Sequence, residues 1–197
     1  MNEFEYYLIE RKGDKAFPLV VADRESKHTR LYIGDNFSEY HGKEIPEPET
    51  MEFVFCDPIP RKPVIGDYFS AAGNSLISKK IADVMLPMNI KGIQLIPAIV
   101  ESNKGIIYED FFYVYIHHYI EAMDEEKSDF KKRPSGVYFI DSFRLNEKVL
   151  KEIPLEERLV FKLKEDGTNL YHKSVVDVIM ATKPEGVQFT KVEDWEL

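Results

Sequence analysis

Apolar residues between positions 77 and 100 follow a helical spacing and then a strand-like one. One face of a helix is predicted from the intervals between Ile77, Ile81, Val84, Met85 and Met88. Ser78 is a candidate cap for its start. Gly92 suits a turn that needs a positive φ, and residues 93–100 alternate as a strand does.

This pattern occurs a second time near the C-terminus. Residues 76–97 (LISKKIADVMLPMNIKGIQLIP) align without a gap with residues 170–191 (LYHKSVVDVIMATKPEGVQFTK). The run SVVDVIM alone favours a strand, because it is rich in β-branched residues, but its alignment with the first copy favours a helix. The similarity is either a chance one or marks a pseudo-symmetric pair on one sheet. Identical pairs are Leu76/Leu170, Lys79/Lys173, Asp83/Asp177, Val84/Val178, Gly92/Gly186 and Gln94/Gln188.

The longest apolar strand pattern runs from Phe111 to Ile120. Aromatic and apolar residues occupy both alternating faces, which is typical of a central strand covered on each side. Shorter strands are predicted near residues 5–10, 19–22, 30–33, 53–55, 137–140, 159–163 and 187–190, and a short helix near 147–152. Residues 41–50 and 124–136 are polar and indicate loops.

Three prolines at positions 58, 60 and 63 divide the chain. We predict a strand-rich N-terminal portion (1–57), a Pro-rich connection (58–66) and an α+β domain (67–197). The predicted fold class is α+β: a mixed or antiparallel sheet on which two similar helix–turn–strand units pack, with a small N-terminal β portion.

Composition limits the compartment and the partners. A chain of 197 residues with 44% hydrophobic residues can bury one sizeable core. Its N-terminus does not follow a signal-peptide pattern, and no apolar run reaches the roughly 18 residues that span a bilayer. With one cysteine there is no internal disulfide. A cytoplasmic protein without a membrane partner is therefore expected.

The net charge of −9 argues against a nucleic acid partner, because phosphates repel it. A solvated surface explains acidic clusters in general, while a surface complementary to a basic protein is the functional alternative. The clusters are Glu44, Glu47, Glu49 and Glu52; Glu121, Asp124, Glu125 and Glu126; and Glu193, Asp194 and Glu196.

Candidate chemistry is sparse. Neighbouring His117 and His118 would point to opposite faces of a strand, so they are interpreted as structural and not as metal ligands. Cys56 has no nearby histidine and is interpreted as a buried apolar residue. The small residues around Gly73 lack the phosphate-loop pattern. We therefore predict no catalytic residue, no cofactor and no metal.

The succession of segments carries a resemblance. FSAAGNSLISKKIADV, KGIQLIPAIV, YEDFFYVYIHHYIEAMD, VYFIDSFRLNE, VFKLK, LYHKSVVDVI and EGVQF, within residues 64–192, resemble immunity protein family eleven of bacterial polymorphic toxin systems. The resemblance implies a non-enzymatic protein that binds a cognate toxin and blocks it. Many such toxins are basic nucleases, so a basic partner is expected.

The expected contact surface is acidic and aromatic, and its candidate residues are Glu121, Asp124, Glu125 and Glu126. The alternative is an enzyme or small-molecule-binding protein with a pocket near the strand from Phe111 to Tyr119. A third interpretation is a structural or scaffold component of a secretion or phage-defence locus, which a large self-complementary interface without a free acidic face would indicate. The sequence leaves homo-oligomerisation open.

Overall fold

A computed structural model describes residues 3–12, 21–23, 40–55, 64–71, 74–102 and 104–196. These residues form an α+β fold, as predicted. Its α-helices are α1 (Lys79–Met85), α2 (Glu147–Lys151) and α3 (Lys173–Ala181). Single 3-10 turns lie at Leu86–Met88, Leu155–Glu157 and Val192–Asp194. The predictions at residues 30–33 and Cys56 lie outside the described residues.

Strands from the N-terminal and middle parts of the chain form a six-stranded sheet. They are β2 (Val21–Asp23), β3 (Met51–Phe55), β4 (Tyr68–Ala71), β5 (Asn74–Ser78), β6 (Ile93–Glu101) and β7 (Ile107–Ile116). Their order in the sheet is β2-β3-β6-β7-β5-β4. Strand β7 is central, because it pairs antiparallel with both β6 and β5. Side chains on its two faces enter different cores, as predicted for a strand covered on both sides.

A second, five-stranded sheet contains β1 (Tyr6–Arg11), β8 (Tyr119–Ile120), β11 (Val160–Leu163), β12 (Asn169–His172) and β13 (Val187–Lys191). Their order in the sheet is β13-β1-β12-β11-β8. Strand β1 lies between β12 and β13 and pairs antiparallel with both. The N-terminal and C-terminal segments therefore share one sheet.

The sequence repeat corresponds to two equivalent strand–helix–strand units. Helix α1 begins at Lys79 and α3 at Lys173, which are aligned positions, and the following strands begin at the aligned Ile93 and Val187. In each unit an antiparallel strand from elsewhere separates the two strands: β7 lies between β5 and β6, and β1 lies between β12 and β13. The units belong to two different sheets, whereas the sequence predicted one.

The two helices pack against each other in a core shared by both sheets. This central core contains Ile81 of α1, Val175 of α3, Val114 of β7 and Ile9 of β1. Inside it, the hydroxyl groups of Ser75 and Tyr171 lie 3.4 Å apart and connect the two sheets. The helices are therefore held by burial of one apolar face each.

Each sheet has a second core on its outer face. Aromatic residues of β3, β4 and β7 fill that of the six-stranded sheet. The outer core of the five-stranded sheet is covered by α2 and by a separate antiparallel hairpin. That hairpin joins β9 (Asp129–Lys132) to β10 (Tyr138–Ser142), so part of the loop predicted over residues 124–136 is a strand.

Three other local predictions were wrong. Ile77 lies in β5, and helix α1 starts two residues later, so the first unit gains a strand. Ser78 occupies the cap position, but its hydroxyl donates to Asp67 Oδ1 at 2.6 Å and makes no cap hydrogen bond. The predicted strand from Phe111 to Ile120 is interrupted at His117 and His118, where the chain passes from one sheet to the other.

Candidate functional site

The adjacent histidines lie at this crossing between sheets. His117 donates its backbone N–H to the Gly92 carbonyl at 3.0 Å, and the His118 carbonyl accepts from the Lys162 N–H at 2.8 Å. Burial lowers the pKa of both imidazoles. Among the described residues, no group of His, Cys, Asp or Glu side chains has a metal-binding arrangement.

Tyr113 and Tyr115 of β7 pack in the core. Tyr113 is fully buried, and its hydroxyl accepts from Asn74 Nδ2 at 2.9 Å. Tyr115 is 4% exposed and donates to the Tyr40 carbonyl at 2.5 Å. An open recess of about 450 Å³ lies beside this strand at the end nearest Phe111, and neither His117 nor His118 lines it.

A segment anchored by hydrogen bonds carries the predicted acidic residues 121–126. The Met123 N–H donates to Glu165 Oε1 at 2.9 Å, and the Asp124 N–H donates to the Arg144 carbonyl at 2.8 Å. The Asn146 N–H donates to the Ala122 carbonyl at 2.8 Å. Because these contacts come from different parts of the chain, they fix the position of the acidic segment.

The four predicted acidic residues have different surroundings. Glu121 accepts from Lys164 Nζ at 2.9 Å, and this hydrogen bond lowers the pKa of the carboxyl group. Asp124 lies 2.8 Å from Lys127 Nζ, which lowers its pKa in the same way. Glu125 Oε1 accepts from the Tyr138 hydroxyl at 2.9 Å. The exposed Glu126 has no ion pair with any described residue.

Three of these residues, Asp124, Glu125 and Glu126, line a cleft of about 730 Å³; Glu121 lies outside it. The cleft joins two acidic clusters of the sequence, because Glu193 of the C-terminal cluster lines it as well. Sequence reasoning missed Glu5 and Glu147, which lie outside the acidic clusters of the sequence. The remaining lining residues are Phe4, Tyr6, Met123, Lys127, Arg144, Leu145, Asn146, Lys148, Lys191 and Val192.

Ion pairing leaves this cleft with an excess of negative charge. Lys191 Nζ lies 3.1 Å from Glu5 Oε1, and Lys127 pairs with Asp124, so two of its four cations are neutralised locally. Among the described residues, Glu126, Glu147 and Glu193 have no ion-pair partner. Six acidic and four basic side chains line the cleft, so carboxylates are in excess.

Comparison with known families identifies the chain. Residues 4–194 match the Immunity protein family (Imm11). The protein belongs to this family. The match includes the N-terminal residues in which the sequence showed no resemblance, and it confirms the family recognised from residues 64–192. No curated protein matches the chain. None of the helices formed by the described residues has the length and apolar character that crossing a membrane requires.

Proposed function

We propose that this Imm11 protein neutralises a basic toxin domain in the cytoplasm by stoichiometric binding at the acidic cleft. Membership of an immunity protein family implies a toxin as the partner. We choose this cleft as the contact surface because two acidic clusters of the sequence converge on it. The contact residues proposed are Asp124, Glu125 and Glu126 within the cleft and Glu121 beside it.

Fixed geometry supports a binding role for this segment. Hydrogen bonds with the Arg144 carbonyl, the Asn146 N–H and the Glu165 carboxylate hold the acidic segment in place before a partner arrives. A preorganised surface loses less conformational entropy on binding, so more of the contact energy contributes to affinity. Binding of this kind requires no catalytic group on the immunity protein.

Charge supports a basic partner. The molecule carries a net charge of −9, and its cleft has carboxylates without ion-pair partners among the described residues. Complementary charge accelerates diffusional encounter and excludes partners with like charge. A basic toxin domain would therefore be attracted from a distance and oriented toward the cleft.

Charge reversal in the cleft tests the proposal. The probe is the toxin domain encoded beside this gene, purified as an inactive variant, and the test protein carries Glu126→Lys with Glu193→Lys. The matched control carries Glu109→Lys with Asp110→Lys, both exposed and outside the cleft, so net charge changes equally. We expect the dissociation constant of the cleft variant to rise at least about tenfold, and that of the control by under about threefold.

Growth protection provides the functional measurement. Cells that express the active toxin domain should survive with the wild-type or control protein and should lose protection with the cleft variant. Equal binding by both charge-reversal variants would reject the cleft as the contact surface. Absence of both binding and protection by the wild-type protein would reject the neutralising function for that toxin.

A further inference from the structure

The β9–β10 hairpin exposes an apolar and basic face. Val137 and Phe139 are 51% and 44% exposed, although both are large apolar side chains. The Arg133 guanidinium lies over the Phe139 ring at 4.3 Å from its centroid, and Lys131 is paired with Phe139 across the hairpin. Aromatic and arginine side chains in this combination are typical of interface anchors.

This hairpin borders the acidic cleft. The Tyr138 hydroxyl in β10 donates to Glu125 Oε1 in the cleft wall, and Lys132 contacts the same hydroxyl. Lys131, Lys132 and Arg133 form the only run of three basic residues in the sequence. A basic projection and an acidic recess therefore lie side by side on one molecule.

We propose that a second copy of this chain docks here, with the hairpin of each protomer in the acidic cleft of the other. An isologous dimer requires one surface that carries both complementary halves, and the hairpin with its adjoining cleft meets this requirement. Arg133 and Lys131 would lie against Glu126, Glu147 and Glu193 of the second copy, and Phe139 would be buried.

Local charge complementarity and net charge predict opposite effects of salt. The net charge of −9 repels a second copy, so a dimer held by unrelated apolar contacts would strengthen as salt screens that repulsion. A dimer held by the basic hairpin in the acidic cleft would weaken instead. We expect the dimer dissociation constant to rise with ionic strength.

Sedimentation equilibrium of the full chain tests the proposal without any toxin, so its outcome is independent of the proposed neutralising function. We expect a concentration-dependent dimer and a dissociation constant raised at least about tenfold by Phe139→Ser. The matched control is Ile107→Ser, an apolar residue of similar exposure, 53%, which lies outside the hairpin and the cleft. It should leave the dissociation constant unchanged.

Charge exchange identifies the pairing. Arg133→Glu alone and Glu126→Lys with Glu193→Lys alone should each remain monomeric, because each places like charges in both contacts. An equimolar mixture should form a heterodimer, since both contacts are then complementary. A monomeric wild-type protein at high micromolar concentration, or variants that still dimerise alone, would overturn the proposal. Circular dichroism of each variant confirms that the fold is retained.

Discussion

The backbone at Gly92 lies directly against the side chain of His118. A β-carbon added at Gly92 would be 2.3 Å from His118 Cβ, and the residue has a φ of +78°. His118 cannot easily move away from Gly92, because backbone hydrogen bonds hold it in place. Its carbonyl accepts from the Lys162 N–H, and the His117 N–H donates to the Gly92 carbonyl. Glycine is required here both for conformation and for space.

We therefore expect Gly92→Ala to destabilise the protein strongly. Gly105→Ala is the matched control: Gly105 has a similar φ of +72°, but nothing lies within 4 Å of an added β-carbon. Both variants share a conformational cost of about 1 kcal/mol, and Gly92→Ala should lose a further 1–3 kcal/mol or so from steric overlap. Urea unfolding measures the difference, and equal losses would show that the contact with His118 is unimportant.

At the residue scale, the backbone conformation of Gly92 was predictable from the sequence. The alignment of Gly92 with Gly186 predicted a turn with positive φ, and both residues have one, +78° and +70°. The approach of His118 was not predictable, because it depends on a chain crossing between two sheets. The contact of Glu165 with the Met123 N–H was not predictable either, because the two residues are 42 positions apart in the chain.

At the scale of elements, aligned positions of the two helices have the same environments. Met85 of α1 and Ile179 of α3 are 2% and 1% exposed in the central core. The next aligned pair, Leu86 and Met180, is 53% and 51% exposed. The repeat therefore preserves the burial pattern of a helix that packs on a sheet and on its counterpart.

These pairs predict a symmetric response to truncation. Met85→Ala and Ile179→Ala should each lower the free energy of unfolding by about 2–5 kcal/mol, because each leaves a cavity in the shared core. Leu86→Ala and Met180→Ala serve as controls and should change it by less than about 0.5 kcal/mol. Denaturant titration of the four variants checks this, and a large loss in only one helix would contradict equivalent packing.

Local periodicity identified the helices and the strands that follow them, and the aligned copy resolved the ambiguous SVVDVIM segment. It missed the strands before the helices, because Leu76 and Ile77 continue without a break into the apolar positions of α1. It also did not predict the strand that lies between the two strands of each unit. Strand β1 pairs with β12 and β13 from the opposite end of the chain, and no local pattern encodes that pairing.

At the scale of the whole molecule, the sequence located acidic charge but not where it converges. Asp124 and Glu193 are far apart in sequence and meet in one cleft because the C-terminal segment adjoins β1. Charge composition alone predicted a basic partner. The choice of surface required the fold, since each acidic cluster in the sequence was equally compatible with a solvated face.

Stability as a function of pH is also a property of the whole molecule. Burial lowers the pKa of His117, His118 and His172. His172 is 1% exposed and lies at the start of α3, where its Nδ1 accepts from the Ser174 N–H at 3.2 Å. Protonation of Nδ1 would break this cap, and the neighbouring Arg158 also disfavours the charge.

Above the ordinary histidine pKa of about 6.5, these residues are neutral in the folded and unfolded states. As the pH falls below it, the unfolded chain binds protons that the folded protein resists, so the free energy of unfolding decreases, by up to about 1.4 kcal/mol per pH unit for each residue. His172→Asn keeps a cap acceptor but does not titrate.

We expect the free energy of unfolding of His172→Asn to lie within about 1 kcal/mol of the wild-type value near pH 8. Between about pH 6.5 and pH 5 it should fall less steeply than that of the wild type. The two slopes should differ by at most the contribution of one proton, about 1.4 kcal/mol per pH unit. Urea unfolding at a series of pH values measures both slopes. Parallel slopes would show that His172 does not resist protonation in the folded protein, and the acid sensitivity would then belong to His117 and His118 at the crossing between the sheets.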